Sequence, residues 1–189
     1  DVTGIEYSDY AIEACAKKGF ENVLSGDVNS LDLSSHYGKY DLVLASDVLE
    51  HIRDDVKTMN IVRKLLKKDG AFFVTVPAYK FLWSTHDEAL YHLRRYHSLE
   101  IKTKLRDTGF NIIKHTHFVS TVFFPITLVR LMNNFVRRRA YPKSHYLALP
   151  EFLNDLLTWF LKVETKLINF MFLPFGTTHV VVAKKEKHD

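Results

Sequence analysis

Short apolar runs alternate with amphipathic segments over the first 120 residues. Val2 to Ile5 is apolar-rich and ends at Glu6, which predicts a short strand already under way at the start of the chain. Ser8 then supplies a cap oxygen, with Asp9 in the first helical turn and Ile12, Ala14, Cys15 and Ala16 following. Gly19 predicts the stop of that helix. Asn22 to Leu24 predicts a second strand, turned by Gly26-Asp27. Asp41 to Ser46 predicts a buried third strand. An acidic loop, Asp47 to Asp55, leads into a helix whose expected inner side carries Val56, Met59, Val62, Leu65 and Leu66. Asp69-Gly70 turns the chain into an apolar strand, Ala71 to Val76, stopped by Pro77. Strand, crossover helix, strand is the rhythm of a mostly parallel sheet with helices on both faces.

Beyond Pro77 the pattern changes. A long polar and aromatic stretch runs to His97. Ser98 is the expected cap of a helix reaching Thr108 and closed by Gly109. Ile112 to Val119 and the Val-rich run from His179 to Ala183 predict two further strands. Between them, Phe123 to Arg139 and Phe152 to Phe172 predict helices, separated by Tyr141-Pro142 and a new start at Leu149-Pro150. Pro174-Phe175-Gly176 predicts the turn into the last strand. Residues 1–189 therefore read as one α/β domain, with residues 120–176 as a helical insert or cap.

Composition narrows the class. The 189 residues are 47% hydrophobic and 25% charged, which excludes a wholly disordered chain. The single cysteine, Cys15, excludes an internal disulfide and a cysteine-based zinc cluster, and suits a reducing compartment. No window offers eighteen uncharged apolar residues, so no spanning helix is expected, and Asp1 to Glu6 lacks a basic leader. Charge is unevenly spread: residues 1–60 carry a net −7 and residues 61–189 a net +11. The basic part suits an anionic lipid surface or an acidic substrate. Duplex nucleic acid is a poor fit, because the run Arg137 to Arg139 is short and no reading helix accompanies it.

In a parallel sheet, ligands gather beyond the carboxyl ends of the strands. Glu6 and Asp27 both fall there. One carboxylate is suited to a ribose diol and the other to an adenine amino group; singly, each also reads as an ordinary turn acid. Ser46, Asp47, Glu50 and His51 follow the third predicted strand, with Glu50 either orienting His51 or capping the next helix. Asp47, Glu50 and His51 lack a complete metal shell, so no metal is expected. The stretch from Tyr79 to His97 concentrates Trp83, His86, Asp87, His92, Arg94, Arg95 and Tyr96. His86 and His92 suit a general base with Asp87 as orienter, the two arginines an anionic group, and Trp83 and Tyr96 a substrate wall. A loop closed by its own ion pairs explains the same residues. In the insert, Leu153, Leu156, Leu157, Phe160, Leu167, Phe170 and Met171, broadened by Trp159, form a wide apolar stripe. It suits a cap on the sheet edge, or a membrane-surface contact within 123–172 flanked by Arg130 and Arg137 to Arg139.

The ordered set resembles class I S-adenosylmethionine-dependent methyltransferases, closest to the bacterial type 11/type 12 group. Gly4-Ile5-Glu6-Tyr7 resembles the end of the family's second strand, Gly26-Asp27-Val28 its third, and Tyr40-Asp41-Leu42-Val43 through Asp47-Val48-Leu49-Glu50-His51 its fourth. Leu82-Trp83-Ser84-Thr85-His86-Asp87 and His92-Leu93-Arg94-Arg95-Tyr96 resemble a subgroup signature, in which Tyr91 stands where a glycine is common. The resemblance implies a Rossmann-like sheet of order 3-2-1-4-5-7-6 with the last strand antiparallel. The family's glycine-rich first strand-turn has no counterpart in the sequence, which is expected to begin inside a domain. It implies S-adenosylmethionine as cofactor, held by Glu6, Tyr7, Asp27, Val28, Ser46, Asp47 and His51, with S-adenosylhomocysteine as product. The acceptor would be an oxygen or nitrogen of a small, lipid-related or glycan-related molecule. A cytoplasmic place, at the inner face of the membrane, and a homodimer are expectations of the same kind. An inactive binding module and an NAD-type oxidoreductase are the alternatives.

Overall fold

The computed structural model describes residues 1–135 and 150–186. The chain runs β1 (Gly4–Glu6), α1 (Asp9–Lys17), β2 (Val23–Ser25), β3 (Tyr40–Ser46), α2 (Asp55–Leu65), β4 (Leu66–Pro77), α3 (Thr85–Ala89), α4 (Ser98–Asp107), β5 (Phe110–Phe118), α5 (Phe123–Phe135), α6 (Glu151–Phe170) and β6 (Thr178–Lys185). Arg137 to Arg139, Tyr141-Pro142 and Leu149, which figure in the sequence reading of the insert, lie outside the described residues.

The strands form two sheets. β1 pairs with β2 in parallel, and a four-stranded sheet has the order β3-β4-β6-β5. β3 and β4 are parallel, while β6 runs antiparallel to both β4 and β5. This is the pairing expected on either side of the family's first strand: 3-2 in one sheet and 4-5-7-6 in the other. α1 and α2 are the crossovers of the two parallel pairs, as the rhythm of the sequence requires.

The core lies on β4. Phe72, Val74 and Val76 alternate toward one face, where they meet Met59 and Val62 of α2, Ile101 and Leu105 of α4, and Tyr96; Val181 and Ala183 of β6 join the same cluster. Three expectations are corrected here. β3 is not wholly buried: Val43 and Ala45 turn to the core, but Leu42 and Leu44 are 57% and 63% exposed, because no described helix covers their face. Val56 is also outside. The buried row of α2 runs Asp55, Thr58, Met59, Val62 and Leu65, and Asp55 occupies the inner place at the first turn. The cap of α4 is His97 rather than Ser98: its Nδ1 accepts from Leu99 N at 3.4 Å.

The insert is fastened by a charged anchor. Glu164 of α6 is buried and accepts from Ser120 N at 2.8 Å and from the Thr121 hydroxyl at 3.2 Å, just ahead of α5. Phe123 and Phe175 meet at a tilt, with centroids 5.6 Å apart, and the Tyr79 ring lies 5.7 Å from Phe123.

Candidate functional site

β1 and β2 are neighbours in the register Glu6↔Ser25, so Glu6 and the Gly26-Asp27 turn leave the same edge of one sheet. Glu6 Oε1 accepts from Tyr7 N and Ser8 N, both at 2.9 Å, which folds the carboxylate back over the start of α1. Asp27 is exposed and accepts from Asn29 N at 2.9 Å. Tyr7 is exposed and Val28 half-buried. Asn29 ties this loop to the N-terminus of α2: its Nδ2 donates to Asp54 O at 3.1 Å, and its Oδ1 accepts from the Thr58 hydroxyl at 3.1 Å. The Asp27 turn therefore docks against the N-terminus of α2.

The exit of β3 is irregular in a defined way. Asp47 takes the left-handed conformation, φ 51°, which Asp tolerates better than most side chains. Its N–H donates to Thr75 O and Thr75 Oγ1, both at 3.1 Å, and Ser46 Oγ lies 3.0 Å from Thr75 Oγ1. The reversal lifts Val48 to His51 off the sheet. His51 is exposed and meets the His92 ring edge-on at 4.8 Å. Glu50 is fully buried and neither carboxylate oxygen finds a hydrogen-bond partner among the described residues. Burial pushes its carboxyl up to about 7, and the Asp47 charge adds to the effect. Glu50 neither orients His51 nor caps α2; Asp54 caps that helix, accepting from Lys57 N at 2.9 Å.

Asp87 is the hub of the stretch between Pro77 and His97. It is fully buried and accepts from Arg95 Nε at 2.7 Å, His92 Nδ1 at 3.0 Å, Ser84 N at 2.9 Å and Ser84 Oγ at 3.2 Å. Burial opposes its ionisation, but the Arg95 guanidinium, the His92 hydrogen bond and the Arg130 charge together outweigh this and hold the carboxyl below its usual range. Because Asp87 can only accept, His92 carries its proton on Nδ1 and presents a lone pair on Nε2. Burial lowers the His92 pKa against the pull of Asp87, so the ring is a neutral base at neutral pH. His86 and Trp83 sit half-buried beside this hub.

Arg95 and Tyr96 differ from the sequence expectation. Arg95 is committed to Asp87 and, through Nη1 at 2.9 Å, to Ala78 O. Tyr96 is fully buried in the core and donates to Asp55 Oδ2 at 2.7 Å. Each is held by interior partners, so neither stands at an open substrate wall. Arg94 bridges Arg53 O at 2.8 Å and Asp55 at 3.2 Å. Lys104 also reaches Asp55, at 2.6 Å, and it escaped the sequence reading because it lies 49 positions away. Three more unanticipated imidazoles, His115, His117 and His179, gather on β5 and β6, all shifted below the ordinary histidine range chiefly by burial. The His-Thr-His alternation in β5 was the available signal for two of them.

The family described as a methyltransferase domain matches residues 1–117, more than half of the chain. No curated protein matches it. Among solved structures, the chain is similar to a Thermotoga maritima S-adenosylmethionine-dependent methyltransferase described as a possible histamine N-methyltransferase. The identity is 16% and the TM-score 0.62, over 97% of this chain and 72% of that one. The cyclase SpnF is similar at 16% identity and TM-score 0.60, over 100% and 67%. Phosphoethanolamine N-methyltransferase 2 of Haemonchus contortus, solved with S-adenosylmethionine, is similar at 17% identity and TM-score 0.56, over 98% and 43%.

Proposed function

From the premise that the chain belongs to the methyltransferase-domain family, we propose that it is an S-adenosylmethionine-dependent methyltransferase of class I that methylates an oxygen or nitrogen of a small, lipid-related or glycan-related acceptor. The observation that carries the cofactor part is the β1–β2 register, which sets Glu6 and Asp27 at one strand-end edge. The residues fit the group. Among the described residues, backbone N–H groups engage Glu6 through Oε1, which leaves Oε2 for a ribose hydroxyl, and Asp27 is exposed for an adenine amino group. Tyr7 and Val28 flank these acids in the chain, and Ser46, Asp47 and His51, at and beyond the end of β3 in the other sheet, complete the proposed cofactor set. When bound, the cofactor supplies an electrophilic methyl carbon on a sulfonium. The chain's own contribution is to align the acceptor and to hold its proton. His92 Nε2 is the base for a hydroxyl acceptor, with Asp87 fixing the ring, and His86 lies on the adjoining turn of α3.

A lipid-like acceptor is supported by the exposed apolar side chains of the insert, among them Phe124, Leu128, Met132, Phe152, Trp159 and Phe170. No described helix is long and apolar enough to cross a membrane. The proposed contact is with a membrane surface, and the inner, cytoplasmic face is part of the same proposal. The test has two arms. Calorimetry with S-adenosylhomocysteine should show binding, weakened about tenfold or more in Glu6→Gln, since one hydrogen bond to a charged group contributes about 1.5–3 kcal/mol. Equal affinity of wild type and variant removes Glu6 from the site. Sedimentation with anionic vesicles should carry the wild type and leave W159E/F170E in solution; equal partition discards the membrane contact.

A further inference from the structure

β5 places His115 and His117 two residues apart, so both imidazoles project from one face of the sheet. His179 of β6 is the register partner of His117. The three ring centroids are 4.7, 5.1 and 5.4 Å apart, and one nitrogen from each ring lies within 4.8 Å of the other two. His115 Nε2 and His179 Nδ1 are separated by 3.2 Å. A tetrahedral ion bound at about 2.0–2.1 Å spaces its nitrogen ligands roughly 3.3–3.4 Å apart. One edge of such a polyhedron is therefore already set, and the third nitrogen needs to close by about 1.4 Å at most.

The outward nitrogens are fixed as well. His117 Nδ1 donates to Leu173 O at 2.9 Å, and His179 Nε2 points at Tyr96 O at 3.3 Å. A carbonyl only accepts, so each contact holds the proton on the outer nitrogen and leaves the lone pair on His117 Nε2 and His179 Nδ1 inside the cluster. Backbone carbonyls in this place are the usual second layer behind metal-bound imidazoles. The loop that brings Leu173 is held against β5: Leu173 N donates to Thr116 Oγ1 at 2.9 Å. At Gly176 a Cβ would collide with Phe118 O and stand 2.9 Å from His117 Cβ, so only glycine allows the approach. Phe172 lies over His115 and His117, with centroids at 6.4 and 6.1 Å. On the remaining side the Tyr79 hydroxyl is 2.8 Å from His117 Nε2.

We propose that His115, His117 and His179 bind one divalent transition-metal ion of the zinc class, with its fourth position on the Tyr79 side. Neutral imidazoles suit zinc and its neighbours and are poor ligands for magnesium or calcium. The site stands apart from the proposed cofactor acids, Glu6 and Asp27, and does not depend on methyl transfer. The untagged chain, stripped with a chelator, is titrated with Co²⁺ and followed by visible absorption; Zn²⁺ affinity is then measured by competition with a chromophoric chelator. The expected result is one equivalent bound, the intense visible bands of four-coordinate Co²⁺, and their loss on adding Zn²⁺. His117→Gln and His179→Gln should each weaken Zn²⁺ binding about tenfold or more, the scale seen when even supporting groups are removed, while His36→Gln, distant in the loop before β3, leaves it unchanged. The half-buried H115Q serves if the buried variants fail to fold. A wild-type chain without the cobalt bands, or equal Zn²⁺ affinity in wild type and H115Q, overturns the proposal and leaves a neutral hydrogen-bonded cluster.

Discussion

Replacing Asp87 with Asn should be among the most damaging single changes in the chain. Asp87 is fully buried and receives four hydrogen bonds from Arg95, His92 and Ser84, with Arg130 Nη1 a further 3.6 Å away. Asn keeps the volume but removes the charge, leaving the Arg95 guanidinium buried against a neutral amide. Removing one partner of a buried ion pair costs about 3–5 kcal/mol, because the remaining charge has lost its compensation. For a domain of this length that corresponds to a fall in Tm of roughly 6–20 °C. Urea unfolding at pH 7, followed by far-UV circular dichroism, measures it directly, with the exposed neighbour Glu88→Gln as control. The pH dependence supplies a second check. The native Asp87 carboxyl lies below its ordinary 3.8, so its stabilisation is complete above that value and is lost as pH falls through the native one. The gap between wild type and variant should accordingly hold near neutrality and narrow in acid. A loss below about 1 kcal/mol at pH 7, the level of an exposed pair, would refute the assignment of Asp87 as the hub.

Glu50 should behave in the opposite sense. Its native carboxyl stands near 7 against 4.5 unperturbed, so stability is full below pH 4.5 and declines as pH rises through 7; Glu50→Gln should be the more stable protein at pH 8 by up to about 3 kcal/mol, and chemical denaturation at pH 4.5 and 8 reads the difference. Gly176→Ala should lose about 1–3 kcal/mol through overpacking, since its new Cβ meets the Phe118 carbonyl rather than a flexible side chain; a thermal melt unchanged from wild type would contradict this. Nitrogen NMR of the histidine rings should find His92 neutral at pH 7 with its proton on Nδ1, and a proton on Nε2 instead would remove the proposed base.

Much of the architecture follows from local pattern. Ser8 ahead of an acidic first turn, the Val-rich run ending in β6 and the alternation of strand with crossover helix each carry their own physical cause, and each appears where that cause puts it. The strand-end acids Glu6 and Asp27 were legible for the same reason, because a strand followed by a turn fixes which edge a residue occupies. The roles of Arg95 and Tyr96 were not. Both sit in a stretch that reads as a polar surface loop, and only the packing of that loop against β4 and α2 turns them inward to Asp87 and Asp55. Leu42 and Leu44 reverse the case: an apolar run looks buried on both faces, yet burial depends on what covers each face. Glu50, the Asp55 network and the three-histidine cluster join residues far apart in the chain. Sequence periodicity acts over a few residues, whereas charge, desolvation and ligand geometry act through space. The amino-acid order thus determined the elements and the strand-end edge that Glu6 and Asp27 share, and tertiary contact decided which side chains are spent on holding the fold.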